Sequence, residues 1–183
     1  MITTLRETDH SSRQQPTTFR VQILPGGKLP QRAGTEPGHA VGYDVFTRDI
    51  VVYNMSTDDP RMRQVEFDLE PPEVFRLGPG GVACLGTGVV IEIPHGFAGW
   101  IKPRGSTVKN GVAVLNQDVP IDPDFRGEPI AVIRNEGRAP FDIRRHQRIV
   151  QIVFTPVALP ILEEVLLLDK TTRGNGSHGS TGK

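Results

Sequence analysis

One cysteine, Cys84, stands in a chain of 183 residues. That count excludes an intrachain disulfide and any structural zinc site built from several thiolates. Cys84 lies in the apolar run GGVACLGTGVV, which points to a reduced core thiol and away from a nucleophile. Aromatic residues are also scarce, at 6% of the chain, so the core has to be built from Val, Ile and Leu, and the β-branched share favours strands. No sign of charge is in excess: Lys plus Arg and Asp plus Glu each total 21. A protein that coats a nucleic acid polymer needs surplus cations, so that class is excluded, whereas a small anion held by a few converging arginines is not. No apolar run reaches the length of a membrane span, and the charged N-terminus has no apolar signal core. The expectation is a soluble, cytoplasmic protein with no membrane partner.

What the chain does have is punctuation. Twenty Gly and sixteen Pro separate short runs of strand character, the texture of an all-β fold. FRVQIL, YDVFTRDIVVYN, VEFDL, GWIKP, GVAVLNQ, EPIAVIRNEG, FDIRR and RIVQIVFTPV read as strands, and Val89, Ile91 and Ile93 alternate cleanly. Residues 1–18 read as a flexible N-terminal arm, 19–168 as the folded domain and 169–183 as a Gly-rich C-terminal arm. The polar stretch from Met55 to Arg63 reads as a surface excursion. No helical period is expected before Ala158, and ALPILEEVLLLD fits either a short helix or a final strand that leaves the subunit.

Several segments could carry chemistry. PRGS, Pro103 to Ser106, joins Arg104 to the exposed backbone of Gly105 and to the hydroxyls of Ser106 and Thr107, groups that suit a phosphate or an ordinary solvated turn. Asp118, Asp122, Asp124 and Glu128 gather in NQDVPIDPDFRGE. Asp122, between two Pro-containing turns, is the carboxylate best placed to take a proton from water, although turn aspartates commonly just bond backbone N–H groups. Asp44 in VGYDVF is a structural or magnesium-associated acid, and Mg²⁺ normally enters with a polyphosphate whose own oxygens supply most of its ligands. The five His have no metal-ligand spacing. The tail GNGSHGSTGK lacks the context of a P-loop; it is either a frayed end or a phosphate-wrapping segment in which Arg173 supplies the charge.

In this order, AVGYDVF, KPRGSTVKNGV, NQDVPIDPDFRGE, HQRIVQIVF and RGNGSHGSTG resemble the five motifs of the trimeric dUTPase family. The resemblance implies a distorted jelly-roll-like β-barrel, assembled as a homotrimer with active sites at subunit boundaries and a C-terminal arm that closes over a neighbour's site. It implies dUTP as substrate, hydrolysed to dUMP and pyrophosphate, with Mg²⁺ as cofactor. Asp122 would activate the attacking water, and Arg173 would act on the phosphates from the arm. Arg104, Gly105, Ser106, Arg148 and Gln151 would lie around the phosphates, Asn116 would read uracil, and Phe125 would lie beneath the deoxyribose. His178, Gly179 and Ser180 would cover the base, and Asp44 would meet the metal through water.

The chain departs from the family pattern at four positions. Gly105 takes the place of a Ser, Phe125 that of a Tyr, His178 that of an aromatic lid residue, and His146 that of a Gly, which implies a different turn. The rival reading within the superfamily, dCTP deaminase, needs a Glu where Val132 stands and so lacks its proton carrier. A trimer of this fold that binds nucleotide or a partner without turnover is the other alternative.

Overall fold

The computed structural model describes residues 18–34, 40–53, 64–67, 74–172 and 174–175. Most of the expected N-terminal arm, the 55–63 excursion, and Arg173, His178, Gly179 and Ser180 lie outside the described residues. Within them the alternating runs form β1 (Arg20–Ile23), β2 (Gln31–Arg32), β3 (Tyr43–Phe46), β4 (Ile50–Tyr53), β5 (Gln64–Phe67), β6 (Phe75–Leu77) and β7 (Val82–Gly86). They continue as β8 (Val89–Glu92), β9 (Phe97–Pro103), α1 (Gly105–Lys109), β10 (Val112–Val114), β11 (Pro120–Ile121), β12 (Ile130–Asn135), β13 (Phe141–Ile143) and β14 (Arg148–Pro156).

One five-stranded sheet runs β10-β12-β7-β4-β5, another runs β11-β9-β14-β3-β2, and β1-β8 and β13-β6 form small ribbons. Every pairing is antiparallel. The inward residues of both large sheets, among them Val45, Leu85, Ile101, Val112, Ile133 and Ile152, join in a single apolar core. This is the expected all-β, jelly-roll-like architecture. Aliphatic side chains fill the core, and Phe19, Phe75, Phe97, Phe141 and Phe154 lie at its edge, where Phe19 packs on Phe97 and Phe154. Period-two burial in β8, with Val89 and Ile91 inside, shows how the sequence alternation chooses the face. Cys84 is buried, and burial pushes its thiol pKa up to about 12, in keeping with an inert core thiol.

Two expectations need correction. A helix does precede Ala158: α1 is one turn long, too short for a hydrophobic period to reveal it, and is closed by Asn110, whose Nδ2 donates to Ser106 O at 2.9 Å. The segment after Val157 forms neither a helix nor a strand; it is irregular, with a bend at Leu166, and exposes Leu159, Ile161, Leu162, Leu166, Leu167 and Leu168. Pro156 and Pro160 remove two N–H donors at its start, which favours leaving the sheet over prolonging β14.

Candidate active site

The central strand β14 lies between β3 and β9, and its start brings three segments to one point. Gln151 is paired in register with Asp44 on β3 and with Lys102 on β9. A register irregularity between Arg148 and Val150 re-aims Arg148 at this end of the sheet. Asp44 is almost fully buried and accepts from Arg104 Nε at 2.7 Å and Arg148 Nη1 at 3.3 Å. Arg104 Nη1 also donates to Arg148 O at 2.9 Å and reaches Ser106 Oγ at 3.4 Å. A buried carboxylate thus orients two guanidinium groups whose remaining N–H donors have no partner among the described residues and can meet an anion.

Gln151 donates through Nε2 to Pro103 O at 3.0 Å. Its amide lies so close over Gly42 that a Cβ there would clash with Oε1 and stand 2.7 Å from Cδ. Gly42 is therefore part of the site, and its position beside Asp44 in AVGYDVF was the available signal. Thr107, by contrast, is withdrawn from phosphate duty: its hydroxyl is buried and donates to Ile149 O at 2.5 Å, anchoring α1 to β14. Gly105 opens α1 with nothing within 4 Å of where a Cβ would stand. His146 keeps the turn a glycine would make rather than changing it. It takes φ 60°, held by its N–H to Thr47 O at 2.6 Å and by a ring contact from Nε2 to Gly26 O at 3.1 Å.

A second group of residues sits elsewhere on the chain. The hairpin between β10 and β12 encloses a pocket of about 310 Å³ lined by Asn116, Ile121, Asp122, Phe125, Glu128 and Ile130, among others. Asp122 is exposed at its rim, and its carbonyl accepts from Phe125 N at 3.2 Å, closing a turn that presents the Phe125 ring. Asn116 is already engaged, since Nδ2 donates to Ile130 O at 2.8 Å and Oδ1 accepts from Val132 N at 2.9 Å. Its first role is to latch the hairpin to β12, with one N–H and one lone pair left for a ligand. The acidic residues of this segment do not converge. Asp118 pairs with Lys102 at 2.8 Å, and Glu128 pairs with Arg48 at 2.8 Å. No group of three or more His, Cys, Asp or Glu among the described residues could hold a metal ion. A larger cavity of about 610 Å³, walled by Phe19, Leu29, Tyr43, Phe97 and Phe154, contains no acid, so chemistry favours the smaller one.

Fold and site together define an antiparallel β protein with a guanidinium cluster suited to phosphate and a separate pocket sized for a small ring. A family model described as dUTPase matches residues 59–182. The deoxyuridine 5'-triphosphate nucleotidohydrolase of Methylocella silvestris is 41% identical over 170 residues, covering 92% of this chain and 93% of its own. That of Rhizobium rhizogenes is 40% identical over 115 residues, 62% of this chain and 74% of its own. Among solved structures, the dUTPase of Staphylococcus bacteriophage 80alpha with dUpNHpp aligns with a TM-score of 0.68 at 20% identity, over 92% of this chain and all of that one, a likeness of fold. The dUTPase of phage phi11 aligns at 0.63 and 17% identity, over 85% of this chain and all of that one. The chain belongs to the dUTPase family.

Proposed function

We infer that this protein is a dUTP diphosphatase that hydrolyses dUTP to dUMP and pyrophosphate. The observation that carries the reading is the pair of half-sites: Arg104 and Arg148 fixed on buried Asp44 at the end of β9 and the start of β14, and Asp122 at the rim of a ring-sized pocket. The water oxygen attacks the α-phosphorus while its proton passes to the Asp122 carboxylate, and the bond from the α-phosphorus to its bridging oxygen breaks to release pyrophosphate. Arg104, Arg148, Ser106 and Gln151 hold the phosphates, with Arg173 of the C-terminal arm joining them. Donors set in place before reaction stabilise the charge that develops on the leaving group. Phe125 lies under the sugar, and His178, Gly179 and Ser180 close over the base.

Mg²⁺ enters as part of the nucleotide substrate, its ligands mostly phosphate and water oxygens. Asp44 does not fit direct ligation, because each of its oxygens already accepts from a guanidinium. The second lone pair on each oxygen can accept from a metal-bound water.

On this reading the site is completed between copies of the chain. Ile121, the residue before Asp122, pairs with Gly99, four residues along β9 from Pro103 at its phosphate end; at about 3.3 Å per residue the ladder sets those two positions about 13 Å apart. The carboxylate and the arginines are thus carried at separate places along β9. The exposed apolar segment after Pro160 also calls for cover by another copy. Both features support a homotrimer with shared sites.

The test is pyrophosphate release with Mg²⁺ on dUTP, dTTP, dCTP and UTP, with Asp122→Asn alongside. Release from dUTP alone, lost in Asp122→Asn, is the expected result. No release from any of the four would leave a binding trimer in its place.

A further inference from the structure

The segment that carries Asp122 and Phe125 is poorly held by backbone. Only Pro120 and Ile121 of this hairpin limb pair with β9, and residues 122–129 have no ladder. The nearby hydrogen bonds of Phe125 and Arg126 to Asp122 O and Pro123 O are local. Arg126 adds a loose ion pair to Glu92 at 3.5 Å.

Glu128 ties this limb to two other elements. Its Oε1 accepts from Gly88 N at 2.6 Å, in the β7–β8 turn. Its Oε2 takes Arg48 Nη2 at 2.8 Å, from the loop between β3 and β4, and the same nitrogen lies 3.0 Å from Asp49 Oδ2. All three charged side chains are largely buried. The turn they close admits no bulk: Gly88 has φ +69°, and a Cβ on Gly86 would stand 3.1 Å from Glu128 Oε1. The same loop reaches the phosphate end of the chain, because Thr47 N donates to Gln147 O and His146 N to Thr47 O. Glu128 therefore stands where the pocket hairpin, the β7–β8 turn and the frame of the arginine cluster meet.

We propose that Glu128, acting through Gly88 N–H and Arg48, is a positioning residue that holds the Asp122–Phe125 turn in its working place. The consequence for turnover rests on the dUTP diphosphatase reading; the consequence for the hairpin does not. Burial is the largest influence on the Glu128 pKa and raises it, ahead of the Gly88 N–H and Arg48, which lower it, and Asp49, which raises it again. The charged groups facing it are Arg48 and Asp49, and the β7–β8 turn offers backbone N–H. On acidification Glu128 takes up its proton at a higher pH than an ordinary carboxylate and releases Arg48. Folding is not weakened by that step, because a group with a raised folded pKa binds its proton more tightly in the native state.

The experiment compares wild type with Glu128→Gln, which keeps the shape and the acceptor for Gly88 N but not the charge. Amide hydrogen exchange is followed over residues 124–128 against the core strand β12, and kcat for dUTP is followed against pH. The proposal predicts exchange in 124–128 at least about tenfold faster in Glu128→Gln with β12 unchanged, and kcat lower by about ten- to a hundredfold, the scale of an ångström-sized misplacement. It also predicts an acid limb of kcat in wild type, above the ordinary carboxylate range and with no matching fall in melting temperature, that is absent from Glu128→Gln. Unchanged exchange in 124–128, or kcat within about twofold with the same acid limb, overturns it. If wild type releases no pyrophosphate, the dUTP reading fails, and exchange still decides the hairpin. If Glu128→Gln does not fold, Arg48→Gln is compared with wild type in the same exchange experiment: faster exchange in 124–128 with β12 unchanged supports the proposal, and unchanged exchange refutes it.

Discussion

Replacing Asp44 by Asn removes one charge and leaves two guanidinium groups facing a neutral amide. In the native protein Asp44 is 2% exposed, and its bond to Arg104 Nε, at 2.7 Å, is the strong one. A charge-assisted bond of this kind contributes about 1.5–3 kcal/mol. Leaving one member of a buried ion pair alone costs about 3–5 kcal/mol. The Arg148 contact adds little, since it is longer, at 3.3 Å, and the Arg148 side chain is 47% exposed and screened by water. Arg104 is itself partly exposed, at 24%, which keeps the loss at the lower end, about 3 kcal/mol. In a chain of this length that lowers the melting temperature by about 6–12 °C. Arg104 also loses its alignment, so kcat/KM for dUTP falls by about a hundredfold. Thermal unfolding followed by circular dichroism and a pyrophosphate-release assay measure the two effects. A variant that melts within about 2 °C of wild type and keeps its kcat/KM would show that Asp44 does not organise the arginines.

Gly105→Ser, whose new Cβ meets nothing within 4 Å, folds as well as wild type and gains a hydroxyl beside Arg104; steady-state kinetics are expected to show a several-fold rise in kcat, and a fall would mean that the open backbone is itself the phosphate donor. Gly42→Ala drives the Gln151 amide away from Pro103 O and raises KM for dUTP several-fold with little change in kcat, checked by the same assay. Truncation after Val157 removes the exposed leucines of the tail, and light scattering is expected to show a smaller assembly than the full chain. Cys84, with a thiol pKa near 12 against an ordinary 9.0, stays unreactive to a disulfide reagent at pH 8 until the protein is unfolded. Because its folded pKa is the higher one, the folded state keeps a proton that the unfolded state loses, so Cys84 lowers stability as pH rises above about 9 and has no effect below.

What the amino-acid sequence determined by itself is whatever depends on neighbours along the chain. The alternation Val89, Ile91 and Ile93 and the dense Gly and Pro punctuation specify strands and turns, because side-chain period and turn chemistry are local properties. Asp44, Arg104 and Asp122 were legible as candidates from their own segments, whereas Asn116 and Gln151 were reached through the resemblance of their motifs to the dUTPase family. Their partners were not. That Thr107 faces Ile149 O, that Asn116 is held by Ile130 and Val132, and that α1 exists at all follow from bonds across the fold, and one helical turn is too short to leave a period. Nothing in NQDVPIDPDFRGE separates Glu128, half-buried against Arg48 and Gly88, from Asp118, exposed beside Lys102. Tertiary structure decided that, since it alone sets which carboxylate is stripped of water and which residues, forty or eighty apart in the chain, supply the donors that make its burial tolerable.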